Sequence, residues 1–144
     1  MITIERLTSA SDAALGEINA LLPQLRRDAN EPLGARSDLD AIVGDTNVLF
    51  VVAKDDGKII GMATAYLATK FGKRTGFVED VVVDGSYRGQ GLGQRVMETL
   101  ISEAKTAGVT QLYLTSGSDR TAAQKLYQKL GFKKKETNVF KLSF

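Results

Sequence analysis

Arg88 and the glycines at 89, 91 and 93, following Val81-Val82-Val83-Asp84, form the arrangement in this chain best suited to chemistry. Glycine frees backbone amides from Cβ crowding, and a helix predicted to begin at once adds the positive end of its dipole. With an arginine alongside, these features describe a site for a phosphorylated ligand. The groups available to react with such a ligand are restricted. The sequence holds no Cys and no His. That excludes a thiolate nucleophile, a disulfide framework and Cys-based metal sites, and it removes the commonest general base. Catalysis must use carboxylates, hydroxyls, phenols and backbone dipoles.

These residues need a scaffold, and 144 residues suffice for one domain, 1–144, with its own core. Hydrophobic residues at 43% and charged ones at 25% are ordinary for a soluble globular protein. A net charge of +2, from 19 basic and 17 acidic groups, implies no polyanion-binding surface, and no basic stripe with exposed aromatics marks a nucleic-acid binder. The start, Met1 to Arg6, alternates as a strand rather than a signal peptide. No apolar run approaches membrane-spanning length. A cytoplasmic protein is expected.

Periodicity places the elements. Ile2 to Leu7 reads as a strand. Ser9 or Ser11 caps a helix through Leu22, which Pro23 ends or kinks. A polar loop spans 26–36, and a short helix starts at Ser37. Val48 to Ala53 and Lys58 to Leu67 are strands joined by the hairpin turn Asp55-Asp56-Gly57. A charged loop covers Lys70 to Thr75, and Phe77 to Val83 is a strand. Leu92, Val96, Leu100 and Ala104 are the buried stripe of a helix that Gly108 ends. A strand over Gln111 to Thr115, a helix to Leu130 and a last strand or strands within Phe132 to Phe144 complete the chain. The order predicts an α/β fold with a mixed, mostly antiparallel twisted sheet and helices on both faces.

Two familiar phosphate-binding patterns fail. A Walker loop needs Gly-Lys-Ser/Thr at the helix start, where this chain has Gly93-Gln94-Arg95. A dinucleotide fingerprint needs its third glycine three places after the second, and it belongs after the first strand. What remains, Arg88-x-x-Gly91-x-Gly93, resembles the acyl-CoA-binding motif of the GNAT superfamily of N-acetyltransferases. Ala122-Ala123-Gln124-Lys125-Leu126-Tyr127 leading into Leu130-Gly131-Phe132 resembles that family's second signature. The order of strands and helices is also the family's, over nearly the whole chain.

The resemblance implies an acetyl-CoA-dependent N-acetyltransferase with no metal. The amides of Gly89, Gln90, Gly91, Leu92, Gly93 and Gln94 would receive the pyrophosphate. Val81, Val82 and Val83 would pair through their backbone with the pantetheine arm and supply an oxyanion donor, with Ala123 on the adjoining helix. Tyr127 is implied as the acid that protonates the leaving thiolate. Glu79, then Asp80, is the choice for deprotonating the amine, directly or through a water; adjacent strand residues face opposite sides, so at most one should point at the acetyl group. Arg120 departs from the asparagine common in the family. It can reach a CoA phosphate or the substrate, or cap its helix and face solvent. The acceptor side falls to 22–36, 64–75 and 137–140, with Asp28, Glu31 and Asp38 able to attract a cationic amine. The expected acceptor is a small-molecule amine. The alternatives are a protein Lys or N-terminal acetyltransferase and a CoA-binding regulatory module. Dimers are common in the family.

Overall fold

Apolar strand segments and one tight turn set up the sheet. In the computed structural model, which describes residues 1–26, 28 and 30–144, β1 (Ile2–Arg6) pairs antiparallel with β2 (Val48–Asp55). β2 pairs antiparallel with β3 (Lys58–Lys70), and β3 with β4 (Lys73–Val83). β5 (Gln111–Tyr113) then joins β4 in parallel, giving the order β1-β2-β3-β4-β5. The sheet is mixed and mostly antiparallel, as the patterning predicts.

The apolar runs in β2 and β3 follow from cover on both faces. On one face Leu49, Val51 and Ala53 pack with Val96, Met97, Leu100 and Ala104 of α3 (Leu92–Thr106). On the other, Phe50 and Val52 meet Leu21 and Leu22 of α1 (Asp12–Leu25) and Leu39 of α2 (Arg36–Gly44). Tyr127 of α4 (Thr121–Lys129) packs on the α3 side. No helix among the described residues is long and apolar enough to cross a membrane.

Local signals behave as chemistry dictates. Ser11 caps α1 by accepting the amide of Ala14 at 3.1 Å. Asp56 and Gly57 take φ of 46° and 87°, the left-handed pair that a two-residue hairpin turn requires. Pro23 does not stop α1, which runs on to Leu25. A proline in the last turn forfeits one helical bond, to the carbonyl four residues back. The expected loop over 26–36 includes Arg27 and Ala29, which lie outside the described residues.

Two expectations are overturned. The charged stretch 70–75 is not a loop: β3 and β4 run to a Phe71-Gly72 tip, with Lys70 opposite Lys73. Arg74 fastens this hairpin by donating to the Ala107 carbonyl at 2.6 Å and to the Asn47 side chain at 2.5 Å. Composition alone could not show those partners. The last strand is also absent. Residues 133–144 are exposed and form no helix or strand.

The core under the site can be tested apart from the site itself. Leu100 is fully buried in the α3–sheet layer. Leu100→Ala is expected to cost about 2–5 kcal/mol of unfolding free energy, read from urea denaturation.

Candidate active site

The site opens where β4 and β5 part. Their parallel pairing runs only from Thr75–Gln111 to Phe77–Tyr113. Beyond it, Val78 to Val81 of β4 and Leu114 to Gly117 after β5 wall a cleft of about 230 Å³. Arg120, Ala123 and Tyr127 of the α4 region and Leu25 of α1 complete the wall. Among the described residues the strand edges facing this gap have no β partner, so their backbone polar groups are open to a ligand.

A β-bulge in β4 shapes the gap. Thr64 faces Glu79 and Met62 faces Val82, so two steps along β3 match three along β4. The additional residue bends the strand, and Asp80 takes a left-handed φ of 55°. The bulge also resets which side chains face where. Val82 packs with Leu21 and Phe50 on the α1 side, while Val81 and Val83 pack on the α3 side. Strict alternation would let only one of Glu79 and Asp80 face the cleft; with the bulge, both line it.

At the end of β4 the chain makes a one-turn 3-10 helix, Gly85–Tyr87, and enters α3. The amide of Arg88 donates to the Gly85 carbonyl, and that of Arg95 to the Gly91 carbonyl. The six amides between them, Gly89 to Gln94, have no acceptor among the described residues. A helix start with open amides is an anion site. The Arg88 guanidinium itself donates to the Val83 carbonyl at 3.3 Å, closing the turn against the strand.

The glycines here are not equivalent. Gly89 and Gly91 have φ of 81° and 74°, a conformation that penalises any side chain. Gly93 lies inside α3 with ordinary helical backbone, and a Cβ there would make only normal contacts, at 3.5 Å to Leu126 and 3.9 Å to Val83. The fold does not need glycine at 93.

The titratable groups are perturbed by partial burial. Desolvation pushes the Tyr127 phenol up from its ordinary value, with Arg120 pulling the other way, so the hydroxyl keeps its proton at neutral pH. Desolvation also raises Glu79, and neighbouring Asp80 adds to the effect. Asp80 is likewise raised by desolvation, with Arg26 opposing and Glu31 reinforcing. Arg120 precedes the first turn of α4 without a side-chain cap bond, and its guanidinium donates to the Leu25 carbonyl at 3.1 Å. It thereby links α4 to the end of α1 beside the cleft.

The acidic loop residues are largely engaged nearby. Asp28 accepts the Asn30 amide, Asp38 accepts the Ala35 amide at the start of α2, and Glu31 pairs with Arg26 at 3.1 Å. Two features escape the sequence reading. Ser116 buries its hydroxyl in the cleft wall with no partner among the described residues. Tyr66 and Phe77, a cross-strand pair next to Thr64–Glu79, form a partly exposed aromatic shelf on the α1 side of the sheet. The position just past the end of a parallel strand was the available signal for Ser116, since ligands gather at such ends.

An amide cradle at a helix start, leading into a slot with a protonated phenol and two raised carboxylates, is suited to an enzyme that moves an acyl group from a phosphorylated carrier. The comparisons agree. The sequence model of the acetyltransferase (GNAT) family matches residues 17–132. The chain belongs to that family and is an N-acetyltransferase. A protein of Oryza sativa subsp. japonica named probable glucosamine 6-phosphate N-acetyltransferase 2 is 36% identical over 144 aligned residues, covering 93% of this chain and 83% of the relative. The crystal structure of glucosamine-6-phosphate N-acetyltransferase from Arabidopsis thaliana matches with a TM-score of 0.81 at 26% identity, over 99% of this chain and 98% of that one. AAC(6')-Iy, solved with the bisubstrate analogue CoA-S-monomethyl-acetylneamine, shares the fold at a TM-score of 0.81 and 22% identity, over 100% and 99% of the two chains.

The contrast between Gly91 and Gly93 is open to a direct test. Thermal or urea unfolding is expected to show Gly91→Ala destabilised by about 1 kcal/mol, from backbone strain alone. Gly93→Ala should be neutral or more stable by up to about 1 kcal/mol, because alanine favours the helix.

Proposed function

We propose that the chain transfers an acetyl group from acetyl-CoA directly to a primary amine of a small molecule, within a ternary complex. The observation that carries this reading is the run of six unpartnered amides from Gly89 to Gln94, beside a helical glycine that the fold itself does not require. A pyrophosphate seated there accounts for both. The pantetheine arm extends from it along the open edge of Val81 to Val83, as an added strand would, and Ala123 of α4 leaves room for it. Arg120 serves the cleft by tying α4 to α1.

The steps use groups already in place. Glu79 or Asp80, directly or through a water, takes a proton from the ammonium. The amine nitrogen then bonds to the thioester carbonyl carbon, and the oxyanion is met by a backbone amide of the Val81–Val83 strand. Collapse breaks the C–S bond, and Tyr127 delivers its proton to the departing thiolate. With no Cys in the sequence, an acyl-thioenzyme is not used. A small acceptor, such as the amino sugar in the relatives' names, suits a cleft of about 230 Å³ flanked by the Tyr66–Phe77 shelf. The same setting fits a cytoplasmic enzyme with access to the acetyl-CoA pool.

Titration calorimetry with acetyl-CoA is expected to show binding by the wild type and its loss in Gly91→Glu; unchanged binding by that variant would remove the cradle. Tyr127→Phe should keep acetyl-CoA affinity within about twofold while turnover drops on the order of 100-fold. An amine panel read by thiol release identifies the acceptor, and turnover with peptides alone would favour a protein acetyltransferase.

The pH profile follows from the raised carboxylates. Only the ionised base is active, so kcat/KM should rise with pH through a value above the ordinary carboxylate range. Glu79→Gln or Asp80→Asn, whichever removes the base, should abolish that limb. A limb untouched by both would assign the base elsewhere.

A further inference from the structure

Arg120 stands where local chemistry argues against it. It occupies the cap position of α4 and makes no side-chain cap bond. That position favours Ser, Thr, Asp or Asn, whose oxygens accept an orphan amide, and a cation there meets the positive end of the helix dipole. Two better caps, Ser118 and Asp119, lie just before it. A residue that breaks a local rule without a local gain is expected at a functional site.

The helix turns that charge toward Tyr127. In an α-helix, positions 123 and 127 lie within about 60° of position 120 around the axis, so the three share one face. Arg120, Ala123 and Tyr127 accordingly all line the cleft. The guanidinium is anchored there by donating to the Leu25 carbonyl at 3.1 Å, a neutral acceptor that leaves its charge intact. Among the described residues no carboxylate forms an ion pair with it.

Tyr127 has no other support for a negative charge. Tyr87 and Tyr113 spend their hydroxyls on Asp55 and Gln111, whereas no described residue hydrogen-bonds that of Tyr127. The core it packs against is apolar. The charged groups lining its cleft are Glu79 and Asp80 from β4 and Arg120 from α4; the end of α1 and the stretch after β5 add only uncharged residues. Burial opposes a phenolate there, and Arg120 favours it. A thiol of pKa about 8.5 is a stronger acid than a phenol, so proton transfer to the thiolate runs uphill, and a charge that steadies the phenolate speeds it.

We propose, on the reading of Tyr127 as the acid, that Arg120 is its positioning residue: anchored on Leu25, the guanidinium stabilises the phenolate left when Tyr127 gives its proton to the departing thiolate. The Tyr127 O–H bond breaks as the S–H bond forms, the C–S electron pair having gone to sulfur. The phenolate regains a proton from water after CoA leaves. Asparagine, common at this position in the family, has no charge to offer.

Arg120→Gln is expected to lower kcat about tenfold while acetyl-CoA affinity, read by calorimetry, stays within about twofold. Arg120→Lys should restore most of the loss. In a Tyr127→Phe background Arg120→Gln should cost nothing further, because its effect passes through the phenol. The ultraviolet tyrosinate titration, assigned to Tyr127 by difference from Tyr127→Phe, should move to higher pH in Arg120→Gln and stay in place in Arg120→Lys. Arg120→Asn supplies a favoured cap, so it should resist heat at least as well as the wild type and still turn over slowly. An unmoved titration, or the same further loss in the Tyr127→Phe background, overturns the proposal while leaving Tyr127 as the acid. Undiminished turnover in Tyr127→Phe alone removes the acid and this role of Arg120 with it.

Discussion

The site depends on β4 and β5 ceasing to pair after Phe77 and Tyr113. A strand inside a sheet normally spends its hydrogen-bonding groups on both neighbours. Here the second half of β4 keeps β3 and gives up β5, so one row of backbone donors and acceptors is left facing a gap. Closing that gap would satisfy the row and destroy the binding slot. The bulge at Asp80 bends β4 within this half, and α4 then leans across with Ala123 and Tyr127.

The same parting sets the electrostatics. Side chains in a narrow slot lose water, and desolvation is the first cause of the raised pKa of Tyr127, Glu79 and Asp80. For a phenol this holds the proton more firmly and makes it a weaker acid. For the carboxylates it strengthens a weak base, bringing it closer to the basicity that an ammonium demands. One physical effect therefore favours the proposed base and works against the proposed acid. The anion cradle lies outside this slot, at a helix start where open amides and the dipole act on charge near solvent.

Much of this was legible in the order of residues, and for a common reason. The Asp56–Gly57 turn, the Ser11 cap, the stripe of α3 and the glycine run each depend on neighbours within a few positions, so their chemistry is written locally. The bulge is different. Asp80 is extra only by comparison with Ala63 on the facing strand, and nothing adjacent in the chain announces it. The hairpin through 70–75 is likewise fastened by Arg74 reaching Ala107 and Asn47. The charge pattern there suggested a loop because those acceptors are distant in sequence. Ser116 acquires interest only once β5 has been seen to separate from β4.

The glycine segment by itself pointed to an anionic ligand, since glycines, an arginine and a helix start together suit an anion site. The alternation in β1, the apolar runs of β2 and β3 and the periodicity of the helices likewise determined the class of fold. Tertiary structure alone decided that both carboxylates share the cleft, that Gly93 is dispensable to the fold, and that the carboxyl-terminal strand pattern finds no partner within the chain. Each of those outcomes depends on which backbone lies alongside another, and strand pairing is made by hydrogen bonds between residues that the linear order keeps far apart.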